Sequence, residues 1–133
     1  MNYHPQKNFY HAKKIKQFHV NPDGRTEGTY TKFQSLDDKM DGIHYYTWFI
    51  KTGRGRTTED AALEVRNKII SRDEACRLIK KFDGEFPKKY FKDCIKYMGI
   101  SEKTFHNTIN KFRPKHVWKK VRKKWVLRNA VWY

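Results

Sequence analysis

The sequence lacks most of what would announce an activity directly. It holds only two cysteines, Cys76 and Cys94, eighteen positions apart and each inside a helical pattern. That is neither a disulfide framework nor zinc spacing, so both read as packing residues of a reducing compartment. The six histidines, His4, His11, His19, His44, His106 and His116, form no HxxxH or HExxH pair, and no metal site is expected. No Walker loop, GxGxxG or nucleophile elbow occurs, which leaves no catalytic residue to nominate. No run approaches the ~20 apolar residues that span a bilayer. The opening Met1-Asn2-Tyr3-His4-Pro5 has no apolar signal-peptide core. The expectation is a cytoplasmic protein without a membrane partner.

Acid is scarce too. Fourteen Asp and Glu face thirty Lys and Arg, a net charge of +16 that excludes a cationic partner. The imbalance is uneven, because residues 101–133 carry ten basic side chains against the single acid Glu102. Such a patch concentrates anions, although a solubilising face would have the same composition. Apolar residues are few at 38%, but aromatics at 16% exclude a disordered chain. A chain of 133 residues suits one domain.

Start and stop signals divide the chain into helices. Asn8 to Phe18 reads as a helix, and Asn21-Pro22-Asp23-Gly24 as a turn. Arg25 to Gln34 shows no period. Ser35-Leu36-Asp37-Asp38 opens a helix whose apolar face is Leu36, Met40, Ile43, Thr47 and Ile50, ending before Gly53. Thr57 or Thr58 caps the next, with Ala61, Ala62, Val65 and Ile69 inward. Ser71 caps another, carrying Ala75, Leu78, Ile79 and Phe82 to a stop at Gly84. Pro87 marks a first helical turn before Tyr90, Phe91, Cys94, Ile95 and Met98, and Ser101 starts a last helix that Pro114 terminates. The period then changes to two, predicting a hairpin of Trp118–Val121 and Trp125–Asn129 around Arg122-Lys123-Lys124. The fold class expected is mainly α, a compact bundle of five to six helices with a short C-terminal β-hairpin. Residues 1–34 form an opening segment with one helix and an irregular connection, and residues 35–133 a helical C-terminal domain, in a single domain overall.

Three segments suggest contacts. In Lys51-Thr52-Gly53-Arg54-Gly55-Arg56-Thr57-Thr58, three cations flank two glycines before a helix N-terminus. Backbone N–H groups, a helix dipole and guanidinium forks suit phosphate or carboxylate there, while an ordinary basic turn would need the same glycines. The run His44-Tyr45-Tyr46-Thr47-Trp48-Phe49 reads as a core helix or as the lining of a ligand pocket. Residues 85–124, with Lys103, Asn107, Asn110 and Lys111 on the second helix, also have the outline of a helix-turn-helix.

In order along the chain, Thr26-Glu27-Gly28-Thr29-Tyr30, Ser35-Leu36-Asp37-Asp38-Lys39-Met40-Asp41-Gly42-Ile43-His44-Tyr45-Tyr46-Thr47, Phe49-Ile50-Lys51-Thr52-Gly53-Arg54-Gly55-Arg56, Glu64-Val65-Arg66, Ser71-Arg72-Asp73-Glu74-Ala75 and Lys81-Phe82-Asp83-Gly84-Glu85-Phe86-Pro87 resemble the C-terminal part of the N-acetyl sugar amidotransferases. Lys111-Phe112-Arg113 and the Trp118 region continue the likeness. The resemblance implies a piece of an ATP-dependent PP-loop enzyme that adenylates the acetamido oxygen of a sugar and lets ammonia displace AMP, leaving an acetamidino group. Products of such enzymes enter lipopolysaccharide O-antigen or the pseudaminic and legionaminic acids of flagellin. The implied cofactor is ATP with Mg in the full-length enzyme and none in these residues. The implied partners are the N-terminal PP-loop lobe, a sugar or nucleotide-sugar substrate, and a glutaminase supplying ammonia, with nucleic acid disfavoured. The family's Ser-Gly-Gly-x-Asp-Ser loop and cysteine pairs are not among these residues, so a C-terminal region separated from its catalytic lobe is expected, without catalysis of its own. On that chemistry Lys51, Arg54 and Arg56 are phosphate or carboxylate contacts. The resemblance implies that Thr26, Glu27 and Lys32, similar in placement to a segment of related ATP-using synthetases, face nucleotide and substrate, and that His44 and Tyr45 line the sugar pocket. The rival readings are a small basic nucleic-acid-binding helical module and a docking domain for the ammonia-supplying subunit.

Overall fold

The computed structural model describes residues 3–133; Met1 and Asn2 of the opening segment lie outside them. Among the described residues the chain forms six helices and, at its C-terminal end, a two-stranded antiparallel sheet. The architecture is therefore mainly α with a terminal hairpin. No helix among the described residues is long and apolar enough to cross a membrane.

Helix α1, Pro5–Lys16, starts earlier than its sequence pattern predicts, because His4 caps it: Nδ1 accepts the Lys7 N–H at 3.3 Å, and Pro5 takes the first helical position. It reaches the body of the protein through Phe9, stacked on Phe33 with ring centroids 4.7 Å apart. Helix α2, Asp41–Thr52, starts six residues later than Ser35. Ser35 lies in the left-handed region with φ 56°, and Asp38 Oδ1 takes the Met40 N–H at 2.7 Å. Asp38, expected in a first helical turn, thus makes a local turn instead, the usual competition between short polar side chains and helix.

Helices α3, Arg56–Arg66, and α4, Arg72–Phe82, pack on each other. Ser71 caps α4 as its spacing predicts, accepting the Glu74 N–H at 3.2 Å. Helix α5, Phe91–Tyr97, begins four residues beyond Pro87, and α6, Glu102–Lys111, is capped by Ser101. Strands β1, Trp118–Val121, and β2, Lys124–Leu127, pair with Val121 opposite Lys124. The turn is therefore the two residues Arg122 and Lys123, and Lys124 belongs to the strand. Both turn residues have positive φ, 46° and 67°. A two-residue hairpin needs that geometry, but Asn-Gly meets it with far less strain.

The larger core joins α2, α5, α6 and the hairpin through Ile43, Phe49, Ile50, Phe91, Cys94, Ile95, Phe105, Ile109, Trp118 and Leu127. A smaller one, Ala61, Ala75 and Ile79, lies between α3 and α4, and Trp132 packs against both. The Trp118 indole N–H donates to Ile50 O at 2.7 Å, satisfying a carbonyl that the end of α2 leaves open. The cysteines are packing residues: Cys94 is buried with its thiol on Lys39 O, and half-buried Cys76 donates to Val131 O.

The connection from α4 to α5 ties these parts together. Gly84 has φ 77°, and a Cβ there would overlap the Phe49 ring. Glu85 receives both Arg25 terminal nitrogens, at 2.6 and 2.8 Å, and the Gly28 N–H at 3.2 Å. Phe86 meets Phe91 and Tyr46 edge-on, at 4.8 and 5.3 Å. Pro87 sits against Gly42, where any Cβ would lie 3.0 Å from its ring.

Burial alone would raise the Glu85 carboxyl, but the bonds from Arg25 and the Gly28 N–H, with the Arg25 charge, hold it below its usual 4.5. The pair's contribution is complete above about pH 4.5 and is lost as pH falls through the lower folded value. Glu85→Gln should cost about 2 kcal/mol at neutral pH and remove that acid-dependent part, read by denaturant unfolding across the acid range. Gly84→Ala should cost at least about 2 kcal/mol through the left-handed backbone and the Phe49 overlap.

Candidate functional site

The glycine loop nominated by sequence ends α2 and begins α3. Two of its backbone donors are taken by one internal carboxylate: Gly55 N–H donates to Asp83 Oδ2 at 2.9 Å, and Thr58 donates to the same carboxylate through its N–H and its hydroxyl. A side chain twenty-eight residues away thus occupies the place where an external anion would bind, and Gly55 is required because a Cβ would lie 2.5 Å from Asp83 Oδ1. The cap of α3 is therefore Gly55 assisted by Asp83, and neither Thr57 nor Thr58 is at that position. Thr57, fully buried, donates instead to Gly28 O at 2.9 Å. Burial pushes the Asp83 carboxyl up, against the pull of its Thr58 and Gly55 donors.

The three loop cations part company. Arg56 spans Asp60 with its Nε at 3.2 and 3.3 Å and lies 5.9 Å over the Tyr45 ring. Burial opposes its charge, and Asp60 more than restores it. Arg54 is exposed. Lys51 lies on α2, in an open cleft of about 340 Å³ with His44, Thr47, Trp48 and Thr52. His44 and Trp48 stand 6.2 Å apart, centroid to centroid. The aromatic helix is thus neither buried all round nor a uniform pocket wall. Its Ile43, Tyr45, Phe49 and Ile50 go inward, while His44 is exposed beside half-buried Trp48.

Tyr45 does not share the cleft. It is buried, with its hydroxyl 2.6 Å from Ser35 Oγ. Thr26 and Glu27 line a narrow crevice with Gly42 and Pro87, and Glu27 Oε1 accepts the Lys89 N–H at 2.8 Å. Lys32 is exposed, and its backbone carbonyl accepts from Asn21 N. The eight nominated residues therefore fall into separate places, and only His44 and Lys51 meet in one open cleft.

A polar seam lies behind Arg56. Gln34 Nε2 donates to Asp60 Oδ2 at 2.8 Å, and Asp60 is buried. The buried Tyr30 hydroxyl, Thr31 Oγ1 and Gln34 Oε1 have no hydrogen-bond partner. Burial, then the Glu64 and Asp60 charges, raise the Tyr30 phenol far above its ordinary value. Among the described residues no group of three His, Cys, Asp or Glu side chains could hold a metal ion.

Sequence reasoning missed Asp83, Glu85 and Trp48 as positioning groups. The signal for the first two was an acid on either side of a glycine just after a helix, but their partners lie 25–60 positions away. Asp83→Ala should cost about 1–2 kcal/mol, the usual loss of an N-terminal cap, by stranding the Gly55 and Thr58 donors. Asp83→Asn should cost less, because the amide oxygen still accepts and the partly desolvated charge is gone. Thermal unfolding of both variants checks the order.

Residues 27–131 match the family described as LPS biosynthesis protein WbpG-like, C-terminal domain. No curated protein matches the sequence. The matched stretch begins at Glu27 and takes in α2 to α6, the hairpin and the Asp83–Pro87 connection. Covering most of the chain, it shows that the protein belongs to the WbpG-like LPS biosynthesis family and carries that family's C-terminal domain.

Proposed function

We propose that this chain serves an ATP-dependent N-acetyl sugar amidotransferase, which converts an acetamido group to acetamidino during bacterial surface-glycan biosynthesis, as its C-terminal substrate-facing domain. The observation that carries the reading is the family match over residues 27–131, which assigns LPS biosynthesis. The ordered resemblance to the amidotransferases supplies the reaction class.

The residues present do not fit an ATP·Mg site. The Gly55 and Thr58 N–H groups are held by Asp83, and the described residues offer no cluster of metal-ligating side chains. Activation of the acetamido oxygen belongs, on this reading, to a PP-loop lobe, with ammonia from a glutaminase. This chain supplies binding. The exposed His44, Trp48 and Lys51 cleft has the chemistry a sugar requires: an indole face for the ring's C–H groups, an imidazole for hydroxyls and an ammonium for a carboxylate or phosphate. Arg56 and Tyr45 act at a distance, by holding α3 against α2.

In the ATP-dependent enzyme that carries this domain, Trp48→Ala and Lys51→Ala should raise KM for the sugar roughly tenfold and leave KM for ATP unchanged. Amidine formation followed by mass spectrometry checks this. Unaltered sugar kinetics in both variants would remove the cleft from the substrate path, and absence of ATP-dependent amidine formation by the parent enzyme would remove the reaction class.

A further inference from the structure

We propose that the C-terminal hairpin is a peripheral docking surface for an anionic lipid bilayer. The pairing register separates its two faces. Trp118 and Lys120 lie opposite Leu127 and Trp125 on one face; Lys119 and Val121 lie opposite Val126 and Lys124 on the other. The first face is rooted in the core through Trp118 and Leu127. The second presents two valines between lysines, with Val121 45% exposed, and leads directly into the cationic tip. Lys119, Lys120, Arg122, Lys123 and Lys124 are all exposed, and residues 101–133 contain no acid but Glu102.

Two features favour a bilayer over nucleic acid. Base recognition by such a hairpin would need a bare aromatic face, yet Arg113 lies 4.4 Å over the Trp118 ring and 5.5 Å over Trp125, and Lys120 lies 4.9 Å over Trp125. An exposed Val121 beside half-buried Val126 among cations gains nothing from phosphodiesters but suits the boundary between headgroups and acyl chains. The turn itself is informative. Arg122 and Lys123 occupy left-handed positions where Asn-Gly would be more stable, so the two cations are kept at the tip against local conformational preference. A polybasic cluster of five binds an anionic surface reversibly and loses affinity with salt. Among the described residues no helix is long and apolar enough to cross a bilayer, and the contact proposed is with its surface.

The test uses the 133-residue chain and sedimentation with vesicles of phosphatidylcholine alone or with one-third phosphatidylglycerol, at about 0.15 M salt. The parent should partition at least tenfold better onto the anionic vesicles. Arg122→Asn with Lys123→Gly should raise the thermal midpoint by about 3 °C yet weaken that partition roughly tenfold or more, a combination that a merely solvated tip would not give. Val121→Asn, which keeps every charge, should weaken it severalfold. Equal binding to both vesicles, or undiminished binding by the double variant, overturns the proposal. So does duplex DNA that displaces the chain from vesicles while Val121→Asn binds that DNA like the parent, which would assign the tip to nucleic acid. None of these results bears on the α2 cleft.

Discussion

The half-buried carboxylate of Asp83 decides how this domain is organised. Asp83 leaves α4, crosses to the start of α3 and fills the three donors offered by Gly55 and Thr58. Those donors and the positive end of the α3 dipole offset part of the cost of desolvating its charge, and burial still holds the carboxyl above its ordinary value. Gly84 follows at once because only glycine passes beside Phe49 with that backbone, and Glu85 then fastens the Arg25–Gly28 segment. In consecutive positions the chain fixes α3, the main core and the irregular connection, which is why segments distant in sequence share one body.

That arrangement changes the meaning of the glycine loop. A basic, glycine-rich turn before a helix has the composition of an anion cradle, and here the anion is the protein's own. The side chains proposed to meet external ligands are His44, Trp48 and Lys51 on the outer side of α2, and the cations of the hairpin. An LPS biosynthesis protein of the WbpG-like family thus carries a C-terminal domain whose interior is stitched by carboxylates while its surface is left strongly cationic.

Local patterns were legible in the sequence, and long-range ones were not. Ser71 and Ser101 cap the helices their spacing predicts, Pro114 follows the last helix, and the change of period after it produces the hairpin. Each of those signals acts within a few residues. Ser35 and Pro87 misled because the same residue types serve turns equally well, and their surroundings are distant in sequence: Ser35 meets the Tyr45 hydroxyl and Pro87 packs against Gly42. The nominated contacts parted for a related reason: His44 and Tyr45 are neighbours in sequence but about 100° apart around a helix, so one is exposed and the other buried. Asp83 carries no signal of its own in the sequence, since no local rule pairs an acid with a helix cap twenty-eight residues earlier.

The most direct measurement of this account is a titration of the isotope-labelled chain with inorganic phosphate, followed at the backbone amides of Gly55 and Thr58. With Asp83 in place those two resonances should stay where they are while phosphate rises. A saturable movement of both would mean that the loop accepts outside anions after all, and that the internal carboxylate is not what organises the domain.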